Sequence, residues 1–235
     1  MLRFLGRGSA FHTENNCGFF VRGGELVLMD CPLSAFHRLR HIGIENLTGG
    51  KASGVTVLVT HSHSDHAGGL GMLIHFCFYV LGIPVKVIAP SEELAGNIEY
   101  LVSRLDGCDR RAYTIVTPDK AELGFTAQPI ATTHAETLEG RCFGWAVDTG
   151  EERFVYTGDT NTLEPFLHTL QSGDTLYTEA SAYDSPVHMY IDRLAPIIDG
   201  LREKGVKVFL MHLDDEKALA DFAAKHGAEL AGLYE

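Results

Sequence analysis

The chain is short of basic residues, of closely spaced cysteines and of long apolar runs, and each shortage removes a class of function. Lys and Arg number 19 against 31 Asp and Glu, which leaves a net charge of -12 with the histidines neutral. Phosphate contacts along a nucleic acid need Lys and Arg, so broad nucleic-acid binding is not expected. The five cysteines, at 17, 31, 77, 108 and 142, are odd in number and no two are close. Neither a disulfide framework nor a cysteine-based zinc site follows; reduced, mostly buried thiols do. The apolar stretch Phe76 to Ile83 is far too short to cross a bilayer. The opening Met1 to Gly6 has no long apolar core of the signal-peptide kind. A cytoplasmic protein with no membrane partner is the expectation. No Pro-, Ser- or charge-rich stretch reads as a linker, and no repeat or low-complexity segment is visible. With 235 residues, 45% of them hydrophobic, one domain over 1–235 is expected.

What the chain does have is regular alternation of strand and helix signals. Leu2 to Leu5, Cys17 to Arg22 and Glu25 to Asp30 read as strands, with Gly23-Gly24 as a hairpin turn. Ser34 is placed to cap a helix running to about Ile42, and Ser91 to cap another. Val55 to Thr60 is rich in β-branched residues and reads as a buried strand. The pattern then predicts one helix from Asp65 or His66 to about Leu81, ended by Gly82-Ile83-Pro84. The second half carries strands near Gly124 to Thr133, Cys142 to Asp148, Arg153 to Thr157, Thr175 to Thr178 and Val206 to Met211. Helices are expected over Leu163 to Leu170, Tyr190 to Lys204 and Glu216 to His226. Strands and helices repeated in two halves suggest two sheets flanked by helices.

The chemistry concentrates in His61-Ser62-His63-Ser64-Asp65-His66, three imidazoles and a carboxylate in six residues. These donor types bind zinc, iron and manganese. His61 and His63 leave the strand as alternate residues and can point the same way. Asp65 and His66 follow at a helix start. The C-terminal end of a strand is where α/β folds place ligands. Three more donors stand at the ends of β-type runs: His134 after Thr133, Asp159 after Gly158 and His212 after Met211. Asp30 is read as a residue that orients a ligand histidine. The histidines at 37, 41, 168 and 226 read as solvated or structural, and Trp145 as core.

With these residues in view, the chain resembles the metallo-β-lactamase-fold superfamily, whose signature is His-x-His-x-Asp-His followed by a distant His, Asp and His. All seven positions are matched in order, by His61, His63, Asp65, His66, His134, Asp159 and His212. The resemblance implies an α/β fold, a four-layer αβ/βα sandwich of two mixed sheets flanked by helices. It implies two divalent ions, Zn2+ foremost with Mn2+ or Fe as alternatives. One would be held by His61, His63 and His134, the other by Asp65, His66 and His212, with Asp159 bridging. Phe4 to Ala10, Asn15-Asn16 and Tyr177 to Ser181 followed by His188 are similar to the branch of tRNase Z and related phosphodiesterases. That likeness implies that Glu179 and His188 lie beside the metals, His188 assisting the leaving group. The chain lacks the protruding Gly/Pro-rich arm with which tRNase Z grips its substrate, so tRNA is not expected. Asp159 stands where zinc β-lactamases often carry Cys, which argues against antibiotic hydrolysis.

The activity expected is hydrolysis of a small-molecule phosphodiester by a hydroxide held between two metals, with Asp65 holding or accepting the proton of the water. A thioester or lactone hydrolase on the same seven residues is the alternative enzyme class. A metal-binding module without catalysis is the alternative outside the enzymes. A homodimer is compatible with the sequence and not required by it.

Overall fold

The computed structural model describes residues Leu2 to Glu235. The chain forms two units, each built on its own six-stranded mixed sheet. Among the described residues, no helix is long and apolar enough to cross a membrane.

The first unit comprises residues up to Gly6, Thr13–Gly124 and Leu233–Glu235. Its strands lie in chain order: β1 (Arg3–Gly6), β2 (Cys17–Arg22), β3 (Glu25–Met29), β4 (Gly54–Leu58), β5 (Val85–Ile88) and β6 (Tyr113–Val116). β1 to β3 run antiparallel and β3 to β6 parallel. The β2–β3 hairpin turns on Gly23 and Gly24, both with positive φ (58° and 80°), the conformation that a tight two-residue turn demands. Every residue of β4 is buried, as its unbroken apolar and β-branched run predicts. Helices α1 (Leu33–Ile42), α2 (Ile44–Thr48), α3 (Ser64–Ala67), α4 (Leu70–Phe76) and α5 (Glu92–Tyr100) supply the rest of the core. Phe36, Leu39, Leu73, Ile74, Leu94 and Ile98 pack with Phe19, Leu28, Val55 and Val57.

Two local departures from the sequence expectation have physical causes. The helix expected from Asp65 or His66 to Leu81 is broken into α3 and α4 at Gly68-Gly69, and its last turn, Cys77–Leu81, is a wide π turn. Gly69 N donates to Cys31 O at 2.8 Å, and a Cβ there would lie 2.5 Å from Pro32 O. The chain must pass the Cys31-Pro32 backbone closely, so the helix cannot run through. Pro32, not Ser34, stands at the start of α1. Ser34 Oγ instead donates to Asn15 Oδ1 (2.9 Å) and accepts from Asn15 N (3.0 Å). Ser91 caps α5 as expected, its Oγ accepting from Leu94 N at 3.2 Å.

The second unit comprises Arg7–His12 and Phe125–Gly232. Its sheet runs β12 (Glu229–Leu230), β11 (Lys207–Met211), β10 (Thr175–Glu179), β9 (Arg153–Tyr156), β8 (Cys142–Asp148), β7 (Thr126–Thr132). β7 to β9 pair antiparallel and β9 to β12 parallel. Pro129 sits in β7, an edge strand, where a missing ladder donor costs least. Helices α7 (Ile191–Glu203) and α8 (Glu216–His226) match the expected spans closely. The helix expected over Leu163 to Leu170 shortens to α6 (Glu164–Leu167). Leu163, Phe166, Leu176, Leu194, Ile198 and Leu219 form the core, and Trp145 is fully buried. In both units the polar residues of interest lie at or just beyond strand ends: His61 after β4, His134 after β7, Asp159 after β9, Glu179 closing β10 and His212 after β11.

Candidate metal centre

In the first unit the donors are set by a carboxylate beneath them. Asp30 follows β3 with φ 64°, an uncommon conformation for a non-glycine residue, and is fully buried. Its Oδ1 accepts from Thr60 N (2.7 Å) and its Oδ2 from the Thr60 hydroxyl (2.8 Å). Oδ2 also lies 2.9 Å from His66 Nδ1. An ionised carboxylate only accepts, so His66 carries its proton on Nδ1. The Thr60 proton is committed to Asp30, so its oxygen accepts from His61 Nδ1, 3.0 Å away. Both buried rings therefore present Nε2 as a lone pair, the tautomer that a metal needs. His63 Nδ1 stands 3.0 Å from His61 Nε2, and Asp65 Oδ2 stands 3.4 Å from His66 Nε2. The first unit thus brings together all four of its expected donors and places the Asp30 carboxylate against His66.

In the second unit Asp159 is the centre. Its Oδ2 lies 3.6 Å from His134 Nε2 and its Oδ1 lies 3.4 Å from His212 Nε2. His134 Nδ1 donates to Val187 O at 2.7 Å, because a carbonyl can only accept, and this leaves Nε2 as a lone pair. His212 is held with φ 52°, the other non-glycine residue in the left-handed region among those described. Asp159, His134 and His212 are all buried.

Three of these spacings fit a divalent cation, while the 3.0 Å between His61 Nε2 and His63 Nδ1 is that of a hydrogen bond. Around zinc, with N and O ligands at about 2.0–2.2 Å in tetrahedral array, neighbouring donor atoms stand roughly 3.3–3.6 Å apart. The separations of 3.4, 3.6 and 3.4 Å at Asp65–His66, His134–Asp159 and His212–Asp159 lie in that interval. They are long for hydrogen bonds between charged partners. The donor set of imidazole and carboxylate suits zinc, manganese or iron alike.

Beside Asp159 lies a second pair. Glu179 Oε2 meets His188 Nδ1 at 2.7 Å, and Glu179 Oε1 accepts from Thr160 N, the amide next to Asp159. The His188 ring centroid is 5.0 Å from that of His134 and 5.4 Å from that of His212. His134, Glu179 and His188 each offer a ligand atom within 4.8 Å of the others. Burial pushes the Glu179 carboxyl up, against the pull of its His188 hydrogen bond. For His188 burial works downward, but the Glu179 hydrogen bond and the charges of Glu179, Asp159 and Asp214 overcome it and hold the ring up at about 9. The 2.7 Å contact itself places a proton on His188 Nδ1, donated to the Glu179 carboxylate. The structure brings Glu179 and His188 together beside Asp159 in spite of the eight residues between them.

Two residues escaped the sequence reading. Thr60 was legible only as the last residue of a β-branched strand, and nothing in the sequence marks its hydroxyl as the link between Asp30 and His61. Asp214 follows His212 by two residues in Met211-His212-Leu213-Asp214. Its carboxylate accepts from Ser181 Oγ (2.6 Å) and Ala182 N (2.9 Å), which ties the loop after β10 to the turn after β11.

The fold and these donor clusters define a metallo-β-lactamase-fold protein. A solved structure of the metallo-β-lactamase fold protein YhfI from Bacillus subtilis superimposes with a TM-score of 0.76 at 20% identity, over 100% of this chain and 98% of that one. Human tRNase Z, short form, superimposes with a TM-score of 0.66 at 18% identity, over 92% and 93% of the two chains. The family model described as anti-Pycsar protein Apyc1 matches residues 1–230, and the chain belongs to that family. An anti-Pycsar protein Apyc1 of Bacillus phage vB_BveM-Goe7 is 28% identical over 252 aligned positions, covering 96% of this chain and 93% of the relative.

Proposed function

We propose that the protein is a metal-dependent phosphodiesterase that opens a small phosphodiester at a centre of two divalent cations, zinc foremost. His61, His63 and His134 would hold one cation, Asp65, His66 and His212 the other, and Asp159 both. The observation that carries the reading is Asp159, whose two oxygens face the Nε2 atoms of two different histidines. That is the arrangement required of a bridging carboxylate. When bound, such cations polarise phosphoryl oxygens and lower the pKa of water toward neutrality. Membership of the anti-Pycsar family supports a cyclic nucleotide as the substrate class.

The chain's own residues supply the proton traffic. Asp65 accepts the proton of the attacking water. His188 gives a proton to the leaving alkoxide from Nε2, the ring nitrogen that Glu179 leaves open. Glu179 stabilises the charged form of that ring and fixes its orientation, as a carboxylate behind a general acid does.

The test is turnover of bis(p-nitrophenyl) phosphate and of a 3′,5′-cyclic nucleotide before chelation, after it, and after metal is restored. Activity is expected to vanish with the metal and return with it. Full activity in the stripped protein would overturn the reading. Turnover confined to acyl thioesters or lactones in the same assay would move the protein to that other hydrolase class.

A further inference from the structure

The segment Arg7–His12 belongs to the second unit, and it ends in a turn that displays one aromatic ring. His12 N donates to Ser9 O at 3.1 Å, closing a four-residue turn with Phe11 in its third position. The turn is tied down on both sides. Ser9 N donates to Leu213 O (2.9 Å), Leu213 N donates to Arg7 O (2.8 Å), and His12 Nε2 donates to Asp214 O (3.1 Å). Leu213 and Asp214 are the two residues that follow His212. Phe11 is thus carried on a turn hydrogen-bonded to the two residues that follow a proposed metal ligand. Its side chain is 102% exposed. Among the described residues no ring packs against it, so its burial contributes nothing to the fold.

The loop on the other side of Asp214 repeats the pattern. The Asp214 carboxylate holds Ser181 and Ala182, and Tyr183 N donates to Ser181 Oγ at 3.1 Å. Tyr183 is 62% exposed. Two exposed rings therefore stand on loops stapled through one residue, within two positions of His212 and a few of Glu179.

We propose that Phe11 is a substrate-binding residue whose ring stacks on the base of a nucleotide, with the phosphate at the donors around Asp159 and His212. This rests on the nucleotide reading above. A flat apolar face is what a heterocyclic base needs, and stacking tolerates every base. A turn fixed at both ends gives that face without an ordering cost on binding. Stacking on an aromatic side chain is worth about 1–3 kcal/mol per base, roughly fivefold to 150-fold in affinity.

The experiment is equilibrium binding of adenosine 5′-monophosphate and of ribose 5-phosphate, which lacks the base, to the metal-loaded protein. The wild type is expected to prefer the nucleotide by about tenfold or more. Phe11→Ala should erase that preference and Phe11→Trp should restore it, a pattern that a merely structural role would not give. With a cyclic nucleotide as substrate, the loss in Phe11→Ala should fall on KM rather than kcat. A Phe11→Ala protein that keeps the preference, or a wild type that has none, overturns the proposal. Hydrolysis of a base-free phosphodiester is scored separately. A protein that cleaves none, yet prefers the nucleotide through Phe11, would sink the phosphodiesterase reading and leave the stacking intact.

Discussion

At the scale of single residues, Asp30 and Thr60 decide what the histidines can do. Asp30 is acceptor-only, so every proton near it is fixed: Thr60 donates to it, His66 donates to it, and His61 must donate to Thr60. Asp30→Asn replaces one acceptor oxygen with a donor and frees His66 to flip its tautomer. Metal content by mass spectrometry should then show affinity weakened by about 10- to 100-fold, the usual cost of losing such a partner, with the circular dichroism spectrum unchanged. Thr60→Val keeps the shape and removes only the hydroxyl, and should weaken metal binding in the same direction. His188 is a different case, because it acts on the leaving group. His188→Ala should lower kcat for an alkyl phosphodiester by about 10² to 10⁴. The loss should be smaller for bis(p-nitrophenyl) phosphate, since p-nitrophenolate departs without a proton. Equal losses on both substrates would remove His188 from the acid role.

Among the elements, the strand ends were legible and the connections between them were not. β4, β9 and β11 read as strands because their apolar and β-branched runs are local facts, and a donor just past each run stands at its C-terminal end by geometry alone. His61, His63, Asp65, His66, Asp159 and His212 could be picked out for that reason. Glu179 and His188 needed a resemblance, because their 2.7 Å contact depends on the course of an irregular loop. The break between α3 and α4 was invisible because its cause is tertiary: Gly69 lies against the backbone of Cys31 and Pro32, residues far away in sequence. The two positive-φ residues, Asp30 and His212, carry no local signal either. Gly69 offers a direct check. A methyl group at Gly69 would meet Pro32 O at 2.5 Å and Cys31 O at 2.8 Å, both backbone atoms that cannot swing aside. Gly69→Ala should destabilise the protein by roughly 1–3 kcal/mol, a cost typical of overpacking, read as a lower urea midpoint. Gly96→Ala is the matched control. It lies in the interior of α5 with nothing within 4 Å of its added Cβ, so it should be neutral or slightly stabilising.

For the whole molecule, the question is how much of its stability belongs to the cations. The seven proposed ligands come from four stretches of the chain, at 61–66, 134, 159 and 212, which an unfolded chain does not hold together. A cation that binds only the folded form stabilises it by about 2.7 kcal/mol at a hundredfold excess over Kd, and about 4.1 at a thousandfold. For a chain of this length each kcal/mol moves the melting temperature by roughly 2–4 °C. The metal-loaded protein should therefore melt about 5–16 °C above the chelated one. Asp159→Asn sharpens the argument, because an amide keeps the volume and loses the charge shared between two positions. It should lose most of the metal-dependent rise in melting temperature, along with the turnover of bis(p-nitrophenyl) phosphate. Its stability without metal should stay near that of the chelated wild type, since apposed donors without a cation contribute little and repel where lone pairs face each other. A wild type whose melting temperature ignores chelation and metal return would mean that the clustered histidines and carboxylates hold no cation that matters to the folded chain.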